Sequence, residues 1–364
     1  MRRAALLLAF LSTVHCGGSH GGEPGVAESP ATPPSNEGAA DAGAPPGSDA
    51  GTSAVDATPP NTACSPTDPR TTPVVLSVLP DDGEKPYVDM LASAQSTIDV
   101  FGYQMGYGGI LDTLQAKAKA GVAVRVILDG NTQRTTNDKY RVMLEAAGAK
   151  FQWSDPKFSY MHAKTLIVDG HDAIVSTGNY SLSYMMKERN YLARLTDPQD
   201  VRDLAALFTA DWTQATPDLS CTRLVVSPVN SEARLAALVK SATKSIVIES
   251  MQYADRAVQA AVLERKAAGV DVRVLLAAPS WIDTNTQAGA DLVASAIPAR
   301  YMASPGVHVK SIVVDGAVAY LGSENISYTS LTKNREIGIV LTDTPAVTTM
   351  LATFEKDWAT ATAF

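Results

Sequence analysis

A charged phrase written twice constrains this chain more than any other feature. His162, Lys164, Asp169, Thr177 and Asn179 recur as His308, Lys310, Asp315, Ser323 and Asn325, each displaced by the same 146 residues. With average residue usage, HxKxxxxD followed at fixed distance by a small hydroxyl residue and an Asn two positions on arises by chance in such a chain roughly once in ten thousand. A second copy is therefore not coincidence. Duplication of a core accounts for the apolar runs Thr165–Val168 and Ser311–Val314, but it gives no reason to keep His, Lys and Asn beside them. Two copies of one imidazole and one ammonium imply a site shared between halves.

The repeat extends beyond the phrase. Ser96–Tyr103 parallels Lys244–Met251, and Gly121–Val126 parallels Gly269–Val274 at a displacement of 148, so the second half is two residues shorter before its motif. Phe208, Asp211 and Trp212 return as Phe354, Asp357 and Trp358, again at 146. Leu111–Ala120 and Ala257–Ala268 have helical composition and stop at glycines just before Val-rich runs, the mark of alternating helix and buried strand. The expected fold is α/β: two similar α/β sandwich lobes, at 73–219 and 220–364, packed about a pseudo-twofold axis within one monomer.

Within His162-Ala163-Lys164, period two puts His and Lys on one strand face. Asp169-Gly170 and Asp315-Gly316 then turn the chain back, returning Thr177/Asn179 and Ser323/Asn325 to the histidine end. Asp169 and Asp315 fall at the far turn and read as turn-forming or ion-pairing residues. His171 reads as a solvated loop residue. Trp153, Tyr160 and Met161 either line the mouth of a site or pack beneath it.

The first 16 residues read as an export signal with a lipobox: Arg2 and Arg3, an apolar run from Ala4 to Leu11, then Cys16 as the candidate acylated residue. Residues 17–72 are Gly, Ala, Pro, Ser and Thr with scattered acids, the composition of a disordered tether. The expected location is outside the cytoplasm, as a periplasmic or outer-membrane lipoprotein or a secreted protein, with Cys16 as a membrane tether. If Cys16 carries lipid, Cys64 and Cys221 remain as one candidate disulfide, with two free thiols as the alternative. The formal charge of −8 divides equally between residues 1–72 and the remainder, leaving no electrostatic footprint for tight binding of a polyanion. No metal-ligand spacing and no cofactor motif is present.

These residues resemble the phospholipase D superfamily, whose mark is two HxKxxxxD motifs, each followed by a small hydroxyl residue and an asparagine. The resemblance covers nearly all of 73–364. It implies that the two histidines face each other across the lobe interface and that no metal is required. The chemistry agrees with the residue types. A phosphodiester needs its nonbridging oxygens held, which Lys164, Lys310, Asn179 and Asn325 can do with support from Thr177, Ser323 and amides beside Gly178 and Gly322. One imidazole must be neutral to attack phosphorus, and the other must be charged to protonate the leaving oxygen. At equivalent positions Asn190 stands in the first half and Glu336 in the second. If each serves the histidine of its own half, Glu336 makes His308 the general acid and leaves His162 as the nucleophile. The resemblance also implies a nucleophile in the first motif and a phosphohistidine intermediate.

The expected activity is metal-independent hydrolysis or transfer of phospholipid headgroups. The alternatives are an exported nuclease acting on nucleic acid, a cardiolipin synthase-like phosphatidyltransferase, and a non-catalytic phosphate- or lipid-binding module.

Overall fold

The computed structural model describes residues 65–364. The expected leader at 1–16, Cys16, Cys64 and the tether as far as residue 64 lie outside the described residues. No described helix is long and apolar enough to cross a membrane.

The first lobe runs β1 (Val75–Leu79), α1 (Lys85–Ser93), β2 (Thr97–Gly102), α2 (Gly109–Lys119), β3 (Ala123–Leu128), α3 (Arg134–Ala146), β4 (Lys150–Trp153), β5 (Thr165–Val168), β6 (Asp172–Ser176), α4 (Leu182–Met185), β7 (Glu188–Leu195) and α5 (Pro198–Thr213). The second repeats it as β8 (Val225–Ser227), α6 (Ser231–Lys240), β9 (Ser245–Ser250), α7 (Arg256–Ala267), β10 (Asp271–Ala277), α8 (Asn285–Ala294), β11 (Ala299–Met302), β12 (Gly306–Val307), β13 (Lys310–Val314), β14 (Val318–Gly322), α9 (Tyr328–Thr332), β15 (Glu336–Leu341), α10 (Thr344–Thr360) and β16 (Thr362–Ala363). The strand orders are β1-β7-β6-β5-β2-β3-β4 and β16-β11-β10-β9-β13-β14-β15-β8. In each sheet three strands are parallel (β2, β3, β4 and β9, β10, β11), and the motif hairpin joins them antiparallel.

Strand periodicity builds the layers. Leu166 and Val168 enter a core confined to the first lobe, while Ile167 between them enters a core shared by both lobes. Ile312, Val313 and Val314 repeat the alternation in the second lobe. Successive side chains of a strand point to opposite faces, so each apolar run feeds an outer helical layer and the inter-lobe layer at once. Within that shared layer, α5 contributes Leu204, Leu207 and Phe208, and α10 contributes Val347, Met350 and Phe354.

The hairpins that carry the motifs turn as expected. Asp169 and Gly170 have φ of 51° and 69°, and Asp315 and Gly316 have 54° and 66°, the left-handed pair that a two-residue hairpin turn demands. Among the described residues these aspartates form no ion pair. Asp169 accepts from the backbone N–H groups of Gln95, Ser96 and Thr97, and Asp315 from those of Thr243, Lys244 and Ser245. Each carboxylate thus ties its hairpin to the start of β2 or β9.

Residues 65–72 differ from the composition-based expectation of a tether. The Arg70 side chain is buried, donates to Asp200 at 2.6 Å and to the Val340 carbonyl at 2.8 Å, and so straps one lobe to the other. Thr71 and Arg223 both bond Asp197 alongside. Composition measures the apolar area a segment can bury, and it misses a segment held by buried charge pairs. Cys221 is disulfide-bonded, and its partner lies outside the described residues.

Candidate active site

Two short cross-lobe pairings bring the motifs together. β12, just before the second motif, runs parallel to Glu188 and Arg189 of β7, and its symmetry equivalent is the bridge between Met161 and Arg335. The His162 amide consequently donates to the Arg335 carbonyl at 2.9 Å, and the His308 amide to that of Arg189 at 3.1 Å. The same two arginines clamp the lobes through their side chains. Arg189 pairs with Asp357 of α10 at 2.6 Å, and Arg335 pairs with Asp211 of α5 at 2.8 Å, all four groups buried. The repeated aspartate in the last turn of each long helix, α5 and α10, therefore serves the opposite lobe.

This crossing corrects the own-half pairing expected from sequence. Glu336 serves His162, with Nδ1 to Oε2 at 2.8 Å, and Asn190 serves His308, with Nδ1 to Oδ1 at 2.9 Å. The cause is the bridge between Met161 and Arg335, which sets Glu336 against the other lobe's histidine. The hydroxyl residues of the motifs orient these partners. Thr177 Oγ1 donates to Asn190 Oδ1 at 2.8 Å, and Ser323, which accepts the Ile337 amide at 3.0 Å, also bonds Glu336.

A second asymmetry escaped the sequence reading although it obeys the same spacing. Glu188-Arg189-Asn190 of the first lobe is matched by Asn334-Arg335-Glu336 of the second, so amide and carboxylate exchange places. Asn334 Nδ2 and Ser330 Oγ both donate to Glu336 Oε1, at 2.9 and 2.5 Å. Glu188 stands 3.6 Å from His308 Nδ1, behind Asn190. Each histidine thus has one amide and one carboxylate near it, but only His162 has the carboxylate in direct contact.

The remaining motif residues line the same place. Lys164 and Lys310 are fully buried, each Nζ donating to the carbonyl of its own histidine, at 2.7 and 2.6 Å, and Lys310 also reaches the Thr177 carbonyl across the interface at 3.4 Å. Asn179 and Asn325 are buried, and neither side-chain oxygen has a hydrogen-bond partner among the described residues, which leaves that capacity for a ligand. The Gly178 amide is not available for phosphate, because it donates to Ser176 Oγ at 3.0 Å, and Gly322 lies in the ladder opposite Gly338.

Two aromatic walls differ between lobes. Tyr103 meets His162 edge-on at 4.7 Å between centroids, and Trp281 stacks on His308 at 6.1 Å. Asp129 caps the amides of Thr132 and Gln133 and holds the Met161 amide at 2.9 Å, where the second lobe has Ala277. No periodic signal marked Tyr103, Asp129 or Trp281, since none is repeated. Of the residues expected at the mouth, Met161 is buried in the shared core, Trp153 packs at the edge of the first-lobe core, and Tyr160 meets Tyr103 edge-on. Asp169, Asp315 and the exposed His171 lie at the opposite end of the sheets.

The electrostatics follow from this geometry. Burial, then Lys310, Lys164 and His162, hold the His308 imidazole well below its ordinary pKa. Burial opposes charge on Glu336, but His162, Lys164 and Ser323 outweigh it and keep its carboxyl below its usual value. Glu324, standing where the first lobe has Gly178, is pushed up to about 8 by burial and by Glu336 and accepts from Tyr320 at 2.5 Å. Among the described residues no group of three or more His, Cys, Asp or Glu side chains is disposed to hold a metal ion. The arrangement brings two imidazoles of unlike surroundings, two ammonium groups and two amides to the boundary between the lobes, a set suited to in-line displacement at a phosphodiester.

A family profile described as "Cardiolipin synthase, PLD-like domain" matches residues 87–212 and again 235–358. The chain belongs to the phospholipase D superfamily. This phospholipase D-like chain is 24% identical to cardiolipin synthase 1 of Bacillus cereus, over 82% of its own length and 68% of that protein's. It is equally identical to the probable cardiolipin synthase YwiE of Bacillus subtilis, over 76% of its length and 64% of that protein's. It therefore spans about two thirds of the curated relatives it matches. Among solved structures, phosphatidylserine synthase of Haemophilus influenzae superposes with a TM-score of 0.58 at 14% identity, covering 79% of this chain and 85% of that one. Polyphosphate kinase of Porphyromonas gingivalis gives 0.62 at 16%, covering 78% and 46%. These two likenesses show the fold.

Proposed function

We propose that this chain is a phosphatidyl-group transferase of phospholipase D type, which moves the phosphatidyl group of a phospholipid to an alcohol or to water. The observation that carries the reading is the crossed pair of histidines with unlike partners, and the curated cardiolipin synthases favour transfer to an alcohol over hydrolysis. In the proposed sequence His162 Nε2 attacks phosphorus, the bond to the leaving alcohol breaks, and that oxygen takes a proton from His308. The acceptor hydroxyl then gives its proton to His308 and displaces His162. His162 is assigned the attack on new grounds: once Nε2 bonds phosphorus the ring turns cationic, and Glu336 lies on Nδ1 to stabilise that charge. His308 receives its proton when the substrate anion offsets Lys164 and Lys310.

The test is the full chain with phosphatidylglycerol vesicles and chelator. Cardiolipin and glycerol as products support transfer, phosphatidic acid and glycerol indicate hydrolysis, and cleavage of single-stranded DNA with neither lipid product replaces the reading by a nuclease. Label trapped on the His308→Ala protein but not on His162→Ala supports the assignment, and label on His308 overturns it. We also infer export and acylation at Cys16, from the basic start, the apolar run and the cysteine after it. Incorporation of a clickable fatty acid that vanishes in Cys16→Ser tests this.

A further inference from the structure

Each histidine is walled by the same stretch of its own lobe, and the two stretches have diverged. Asn137 Nδ2 donates to the Tyr103 carbonyl at 2.8 Å and reaches that of Asp129 at 3.4 Å. Asn285 Nδ2 donates to the Met251 and Ala277 carbonyls at 2.8 and 3.0 Å. The two sets are displaced by the same 148 residues, so one amide pins equivalent backbone in both lobes. At this spacing Tyr103 answers to Met251, Asp129 to Ala277 and Gln133 to Trp281.

The first-lobe wall is polar. Asp129 accepts the Gln133 amide at 2.9 Å, Gln133 Nε2 donates to the Tyr103 hydroxyl at 3.1 Å, and the Tyr103 ring meets His162 edge-on. The second-lobe wall is apolar. Its turn closes on backbone instead, the Trp281 amide donating to the Ala278 carbonyl at 2.9 Å, and Met251 and Ile282 are buried in the shared core. The half-buried indole of Trp281 lies 6.1 Å from the His308 ring with 20° between the planes. A matching change seats it. Gly306, two residues before His308, stands where the first lobe has Tyr160, and a Cβ there would lie 3.0 Å from the indole. A side chain lost at 306 and an indole gained at 281 thus fit together beside one histidine only.

That placement bears on the second step of the proposed reaction. The acceptor oxygen bonds phosphorus, the bond from phosphorus to His162 breaks, and the acceptor's proton passes to His308. Water and an alcohol balance equally in this step, and they differ in the carbon that the alcohol carries. An indole beside His308 covers that carbon and takes the place of water, an advantage of about fourfold for each methylene fully buried.

We propose that Trp281, seated on Gly306, is a specificity-determining residue that favours an alcohol over water as the acceptor at His308. The inference rests on the transferase reading, and its readout is a ratio of products rather than a rate. The full chain is given phosphatidylglycerol vesicles, and cardiolipin and phosphatidic acid are quantified together by mass spectrometry. Trp281→Gln installs the residue of the other lobe, and the ratio of cardiolipin to phosphatidic acid falls about fourfold or more. Trp281→Phe keeps most of the parent ratio and Trp281→Leu falls between. A residue that only packs lowers both products in proportion, so reduced yields at an unchanged ratio overturn the inference and leave the transferase reading standing. No cardiolipin from the parent removes the transferase reading and the inference with it.

Discussion

His162 Nδ1 lies 2.8 Å from Glu336 Oε2 across the lobe boundary, whereas the equivalent nitrogen of His308 meets the amide oxygen of Asn190 at 2.9 Å. Both partners fix the ring and its tautomer, but only the carboxylate can stabilise a ring that has become cationic. Glu336→Gln keeps an acceptor in place and removes the charge. Turnover on phospholipid should fall about 100-fold or more with KM changed only a few-fold, since the lost interaction belongs to the charged transition state. Asn190→Ala should cost less, and an equal loss in both variants would mean that the difference between the partners plays no part.

His308 gives a pH signature. Burial and the ammonium groups of Lys310 and Lys164 hold its imidazole below its ordinary value, so it is neutral in the empty site at mildly acidic pH. The unfolded chain binds that proton more readily, so this group's contribution to stability falls as pH drops from the ordinary histidine value towards the depressed one. A bound phosphate anion between the lysines reverses the balance and raises the pKa. Phosphate binding near pH 6 should therefore take up a proton, read by calorimetry in buffers of different ionisation enthalpy, and Lys310→Met should reduce the uptake by raising His308 beforehand. Binding without proton uptake would contradict this account.

Much of this was legible in sequence because a duplicated gene writes its site twice. The lobes, the hairpins and the convergence of His162, Lys164, His308 and Lys310 all follow from strand periodicity and a constant spacing. What a repeat does not disclose is which copy a side chain serves. Own-half and crossed pairing of Glu336 leave the same residues at the same positions, and only the bridge from Met161 to Arg335 distinguishes them. Residues present in one copy alone, such as Asp129 and Trp281, had no periodic signal, and the strap at Arg70 was hidden in a composition that suits a tether.

Two buried carboxyls should govern the alkaline limb of stability. Burial and Asp357 push Glu249 up to about 8, and burial and Glu336 do the same to Glu324, each from an ordinary 4.5. Between those values the folded state binds the extra proton, so the stabilisation is complete below 4.5 and is lost as pH rises through about 8. Glu249→Gln and Glu324→Gln keep acceptors for Tyr191 and Tyr320 without a titrating group. Their melting temperatures relative to the parent should rise between pH 6 and pH 9, and parallel profiles would refute the assignment.

The reciprocal clamps make a prediction about lobe association. Arg335 and Asp211 are buried, as are Arg189 and Asp357, and each pair joins a strand of one lobe to the terminal helix of the other. Removing one aspartate takes the closest counter-charge from a buried guanidinium, which costs about 3–5 kcal/mol, far more than an exposed pair. Asp211→Ala and Asp357→Ala should lose similar amounts in urea unfolding, because the two pairs are equivalent by symmetry. The double variant should depart from the sum of the single losses, since both clamps hold one shared layer and the first break loosens what the second would cost. Both should also lower turnover, because the Arg335 and Arg189 carbonyls that receive the His162 and His308 amides depend on the same registration. A loss below about 1 kcal/mol from either substitution would place the two pairs with ordinary surface ion pairs and leave the shared apolar layer as what holds the histidines in register.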